Sequence, residues 1–170
     1  MKVPVVIADY DPRWPAIYEE EKTQILQTIG DKVVAIEHIG STAVPGLGAK
    51  PIIDIMVAVR HLDDAQQCVG PLKSIGYERG LRDPTPECRF FNKGLPEAHR
   101  HLHMVELTSD FWQCNLLFRD FLRTHPDIAR QYQDLKKDLA ARYGADRDGY
   151  TEAKTEFIES VVARARAEVR

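Results

Sequence analysis

The chemistry of this chain gathers in Ile36-Glu37-His38-Ile39-Gly40-Ser41-Thr42-Ala43-Val44-Pro45-Gly46 and, a few residues on, in Lys50-Pro51-Ile52-Ile53-Asp54-Ile55-Met56-Val57. Gly40, Ser41 and Thr42 are small or carry hydroxyls and follow an apolar run, so a phosphate can approach the backbone there. Asp54 lies inside a run of aliphatic residues, where a carboxylate is costly unless it has a partner. Lys50 can offset phosphate charge. His38, beside the turn, either hydrogen-bonds it into shape or touches the ligand. A phosphate cradle next to a strand-borne acid points to a phosphorylated small molecule as the ligand.

Strand parity supplies further groups. Side chains alternate faces, so Asp54 and Met56 share one face of their strand and Ile53, Ile55 and Val57 the other. His101 and His103 share a face opposite Leu102 and Met104. Burying Ile53, Ile55, Leu102 and Met104 together leaves Asp54, His101 and His103 on a common polar side. That set suits a divalent metal or phosphate oxygens. The plainer reading makes His103 a hydrogen-bonded strand residue and His101 an exposed one.

These residues need elements to hold them. Val3 to Ile7 is β-prone and is stopped by Asp9-Tyr10-Asp11-Pro12. Trp14, Ile17, Tyr18, Ile25, Leu26 and Ile29 recur at helical spacing, and Gly30 ends that helix. Lys32 to Ile39 and Ile52 to Val59 read as core strands, the second apolar enough to be covered on both faces. A helix follows over Asp63 to Ser74, with Pro71 near its end, then a short strand at Gly76-Tyr77-Glu78. Arg89 to Asn92 and Arg100 to Leu107 form a hairpin. From Ser109 the chain is helical, broken at His125-Pro126 and at Gly144, with a last helix from Asp148. The layout is α+β (mixed α/β), one domain over 1–170, β-rich over 1–108 and helical over 109–170.

Composition narrows the classes. The chain has 170 residues, 44% of them hydrophobic and 29% charged, which suits a globular core. A net charge of -3 gives no electrostatic footprint for nucleic acid. Cys68, Cys88 and Cys114 are dispersed, which argues against a disulfide framework or a structural zinc. No apolar run reaches membrane-spanning length, and the apolar N-terminal run is too short for a signal peptide, so the expected location is cytoplasmic.

The run His38 to Leu47, Lys50 to Asp54, His101-Leu102-His103, Leu117 to Arg123, His125-Pro126, Tyr132, Leu135-Lys136 and Tyr150-Thr151-x-x-Lys154 resembles the signature of the GrpB family. The resemblance covers nearly the whole chain. It implies a nucleotidyltransferase-like fold, a mixed sheet flanked by helices, and a relation to the domain fused to dephospho-CoA kinase in some bacteria. It further implies binding of a nucleotide or related phosphate ligand with Mg2+, and transfer of a nucleotidyl group to some acceptor. Asp54 and His103 are then the catalytic and metal-binding residues. His38, Gly40, Ser41, Thr42, Lys50, Arg119 and Lys136 are the phosphate contacts, the last two reaching over if the helices pack on the sheet. The superfamily pattern has a second acid two residues after the first, and here Met56 stands in that place. Glu106, a candidate third acid, faces away from His103 by parity. The alternative is a non-catalytic nucleotide-binding or protein-interaction module. If the site is a disabled transferase, Met56→Asp is expected to strengthen Mg2+-dependent nucleotide binding.

Overall fold

The computed structural model describes residues 4–94 and 99–169. Helix α1 (Trp14–Ile29) starts with Pro15 in its first turn, where a missing N–H leaves nothing unpaired, and buries Trp14, Tyr18, Ile25 and Ile29 along one stripe. Strands β1 (Val33–Ile39) and β2 (Ile53–Val59) pair antiparallel. Helix α2 (Ala65–Ser74) and the two-residue strand β3 (Glu78–Arg79) follow, then the hairpin of β4 (Cys88–Lys93) and β5 (Arg100–Glu106). The sheet order is β1-β2-β5-β4-β3, and β2 and β5 run parallel. A strand between two others and covered above and below can be aliphatic throughout, as β2 nearly is.

The two sheet faces have different cover. Ile53, Ile55, Val57, Leu102, Met104 and Phe91 pack beneath α1 and α2. On the other face Ile39, Met56, Ala58, Cys88 and Val105 pack against Trp112 of helix α3 (Asp110–Thr124), whose first turn is capped by the Ser109 hydroxyl accepting from the Trp112 amide at 3.2 Å. Helices α4 (Pro126–Tyr143), α5 (Arg147–Ala153) and α6 (Thr155–Glu168) complete the chain. Phe118, Leu122, Ile128, Tyr132, Val161 and Val162 form a further core, into which the β1–β2 connection inserts Val44 and Leu47. The expected mixed α/β architecture with a helical C-terminal half is what the chain adopts.

Two expectations change. No strand forms over Val5 to Ile7: Ala8 makes a single bridge to Ala49, with both backbone hydrogen bonds at 2.9 Å, and Val3 lies outside the described residues. The last helix is split at Lys154 into α5 and α6. No described helix is long and apolar enough to cross a membrane.

Candidate functional site

Register brings the reactive groups together. Asp54 pairs with Ile39 on one side and His101 on the other, and His103 lies opposite Met56. Paired residues share a face, so Asp54, His101 and His103 all point away from α1 and α2. The Asp54 Oδ1 is 3.1 Å from His103 Nε2 and 3.6 Å from His101 Nδ1. Burial works against the Asp54 charge, but hydrogen bonding and charge from His101 and His103 win and hold its carboxyl well below the usual carboxylate range.

Gly40 sits directly over this carboxylate. Its φ is +75°, and a Cβ there would lie 2.8 Å from Asp54 Oδ2. Gly40→Ala therefore meets two penalties, the left-handed backbone and the collision. The expected cost is about 1–3 kcal/mol in urea unfolding. A variant as stable as the parent would show that the turn can relax.

Beyond Gly40, Ser41–Ala43 form one turn of 3-10 helix. The Thr42 hydroxyl donates to the Ile52 carbonyl at 3.2 Å and meets His38 Nε2 at 2.9 Å. His38 is buried and stacked on Tyr18 at 4.7 Å. Burial pushes its imidazole down to about 4, against the pull of Asp54 and helped by Arg123 and Arg119. His38 thus shapes the turn from behind as a neutral ring.

In front of the turn lies a cleft of about 380 Å³, lined by Gly40, Ser41, Thr42, Lys50, Asp54 and His101 from the sheet side. Tyr132, Lys136, Tyr150 and Lys154 close it from the helical side. Lys136 is 2% exposed, and its Nζ donates to the Gly48 carbonyl at 2.6 Å. Lys154 and Lys50 lie over the Tyr150 ring, at 4.5 and 5.0 Å from its centre, and Lys136 over Tyr132 at 4.9 Å. Burial, with the charges of Lys154 and Lys50, pushes the Lys136 amine down to about 7. Burial and Lys50 push Lys154 down to about 8 while Asp54 resists. Burial also lowers Lys50, against Asp54. Asp54 is the one carboxylate among the described lining residues, so three cations crowd a single anion.

Of the residues expected at the site, Gly40, Ser41, Thr42, Lys50, Asp54 and Lys136 line this cleft, and His103 touches Asp54 from beside it. His38 and Arg119 do not reach it. Arg119 is committed elsewhere: Nη1 pairs with Glu37 at 2.6 Å and donates to the His38 carbonyl at 3.0 Å, and Nε donates to Asp120 at 2.8 Å. It fastens α3 to β1. Arg123 donates to the Ala43 carbonyl at 2.9 Å and so supports the turn. Glu106 accepts from the Leu62 amide at 2.9 Å and is spent on that loop. Lys154, Tyr132 and Tyr150 were not expected as site residues. The spacing of Tyr150 and Lys154, one helical turn apart, was the available signal.

Met56 is fully buried among Ile39, Cys88, Val105 and Trp112. The donors in reach of one another are thus one carboxylate and two imidazoles. Paired Mg2+ ions prefer carboxylate, phosphate and water oxygens, and this set does not suit them.

The GrpB protein family model matches residues 4–164. The glutamate-rich protein GrpB of Alkalihalophilus pseudofirmus is 34% identical over 164 residues, covering 93% of this chain and 94% of that protein. A UPF0157 protein of Pseudomonas aeruginosa is 42% identical, over 94% of this chain and 67% of its own length. A dephospho-CoA kinase of Mycolicibacterium paratuberculosis is 30% identical, and the chain spans 46% of it. The crystal structure of conserved protein GrpB from Enterococcus faecalis superposes with a TM-score of 0.83 at 33% identity, over 96% of this chain and 99% of that one. The Cid1 poly(U) polymerase, in a form with Mg 3'-dATP bound, superposes with a TM-score of 0.56 at 13% identity, over 80% of this chain and 44% of that one. That likeness is one of fold.

Proposed function

Because the chain belongs to the GrpB protein family and has a nucleotidyltransferase-like fold, we propose that its cleft binds a phosphate-bearing small molecule, a nucleotide, between the Gly40-Ser41 turn and the lysines of the helical half. The observation that carries this reading is the crowding of Lys50, Lys136 and Lys154 around one carboxylate. Like charges driven together out of water are unfavourable in the empty protein, and a polyphosphate reverses the sign of that term. The Gly40 turn and the Ser41 side chain line the same cleft as these lysines. Mg2+ enters this reading only as an ion carried in on the phosphates, because Met56 leaves Asp54 without a second acid. For the same reason binding is favoured over nucleotidyl transfer through paired ions.

The test is a melting screen in chelator against nucleoside triphosphates, inorganic tripolyphosphate and CoA precursors, repeated with Mg2+. At a hundredfold excess over Kd, a ligand of the native state adds about 2.7 kcal/mol. Lys154→Gln is expected to lose most of that shift. No shift for any of these anions on the parent protein would overturn the reading.

A proton signature should accompany binding. Free Lys136 and Lys154 titrate at about 7 and about 8, so at pH 8 much of their charge is missing. A bound polyanion restores it, and binding takes protons up. Calorimetry at pH 8 in buffers of different ionisation enthalpy should show net uptake, and affinity should fall as pH rises past 8. Proton release, or an affinity indifferent to pH, would remove the lysines from the contact.

A further inference from the structure

The geometry points to Asp54, His101 and His103 as a site for one borderline transition-metal ion of the Zn2+, Co2+ or Fe2+ class, in preference to Mg2+. Imidazole nitrogen suits these ions, whereas Mg2+ is held by oxygen. The spacing agrees. Bonds of about 2.0–2.1 Å to nitrogen and oxygen place neighbouring ligand atoms of one ion roughly 3.0–3.4 Å apart. Asp54 Oδ1 lies 3.1 Å from His103 Nε2 and 3.6 Å from His101 Nδ1, and each of the three residues offers one ligand atom within 4.8 Å of the others'. Two histidines two residues apart on β5, flanking an acid on the neighbouring parallel strand, converge because they share one face of the sheet.

The rings are also held in place. His103 lies between Phe90 and Phe111, with ring centres 5.3 and 5.5 Å away, and Phe90 meets His101 edge-on at 5.0 Å. Asp54 and His101 line the cleft, so an ion held by them would be reached from it. An ion there would stand where the proposed phosphates lie. Its role toward them rests on the nucleotide reading, but its binding does not.

The test therefore uses the metal alone. Chelator-stripped protein is titrated with Co2+ and followed by its visible ligand-field absorption. The expected result is a single-site spectrum that Zn2+ displaces and a large excess of Mg2+ leaves unchanged. His101→Gln is expected to weaken Co2+ by roughly tenfold or more, the loss usual even for groups supporting a metal ligand. His101 is part-exposed, so the variant should fold, which its circular dichroism and melting would check. Arg142→Gln, on the exposed flank of α4, should leave the spectrum intact. Absence of a protein-bound Co2+ spectrum, displacement by Mg2+ at comparable concentration, or an unaltered His101→Gln titration would each overturn the inference. Polyphosphate binding in chelator is scored separately, so either reading can fail without the other.

Discussion

A Met56→Asp variant unfolds more easily than the parent by roughly 3–5 kcal/mol, the cost of an uncompensated charge in a packed interior. In sequence this substitution looks like a repair, since it restores an acid two residues after Asp54. In the fold it is a burial. Met56 has no exposed surface and packs with Ile39, Ala58, Cys88, Val105 and Trp112. Along the register Met56 lies between Glu37, itself a carboxylate and paired with Arg119, and His103, whose Nε2 already faces Asp54. Burial raises the new carboxyl's pKa, so the folded state prefers it neutral. The sign with pH follows: the penalty is small below the unfolded value of about 3.9 and grows as pH rises through it. Urea unfolding of both proteins at acid and neutral pH measures this, with Met56→Leu as the volume control at less than about 1.5 kcal/mol. A Met56→Asp protein as stable as the parent at neutral pH, with new Mg2+-dependent nucleotide binding, would show that the core beneath Trp112 opens to receive an ion.

Lys136→Met should act in the opposite sense, raising the melting temperature of the ligand-free protein by several degrees, about 1–2 kcal/mol, while removing the nucleotide binding proposed above. Lys136 is buried beside two other cations, and the loss of its hydrogen bond to Gly48, on the order of 1 kcal/mol, is smaller than the relief of removing its charge. Because the folded protein depresses this amine to about 7, the charge is a burden below that pH. The burden lifts as pH rises from about 7 toward the unfolded value of about 10.4. The advantage of the variant is thus greatest near pH 6 and fades by pH 10. Differential scanning calorimetry across that range, alongside the polyphosphate shift, decides it. A variant that melts lower than the parent at pH 6 would mean that Lys136 holds Gly48 for stability alone.

Much of this site could be read from local rules. Alternation along β2 and β5 is a property of each strand by itself, and it placed Asp54, His101 and His103 on one side once the aliphatic residues were buried together. The glycine turn was visible because Gly40-Ser41-Thr42 interrupts an apolar run. His38 was harder. Its side of the sheet depends on the pairing of Ile39 with Asp54, a register set between strands and not within either. The lysines of α4 and of the α5–α6 junction come from much further along the chain. An amphipathic helix announces its apolar stripe but not which neighbour receives its flank, so Lys136, Lys154 and Arg119 looked alike in sequence. Only the packing sends two of them into the cleft and the third to Glu37.

Gly48 joins the two halves more firmly than its size suggests. Its N–H donates to Gln133 at 2.6 Å, its carbonyl accepts from Lys136 at the same distance, and a side chain there would strike the Ala8 carbonyl. Both backbone polar groups of this one residue are therefore riveted to α4, midway along the connection that leads from the Gly40 turn to Asp54. Tilting α4 away from the sheet would drag that connection with it, so this side of the cleft behaves as a fixed jamb. The break in the helical side of the cleft falls elsewhere, at Lys154, where α5 gives way to α6.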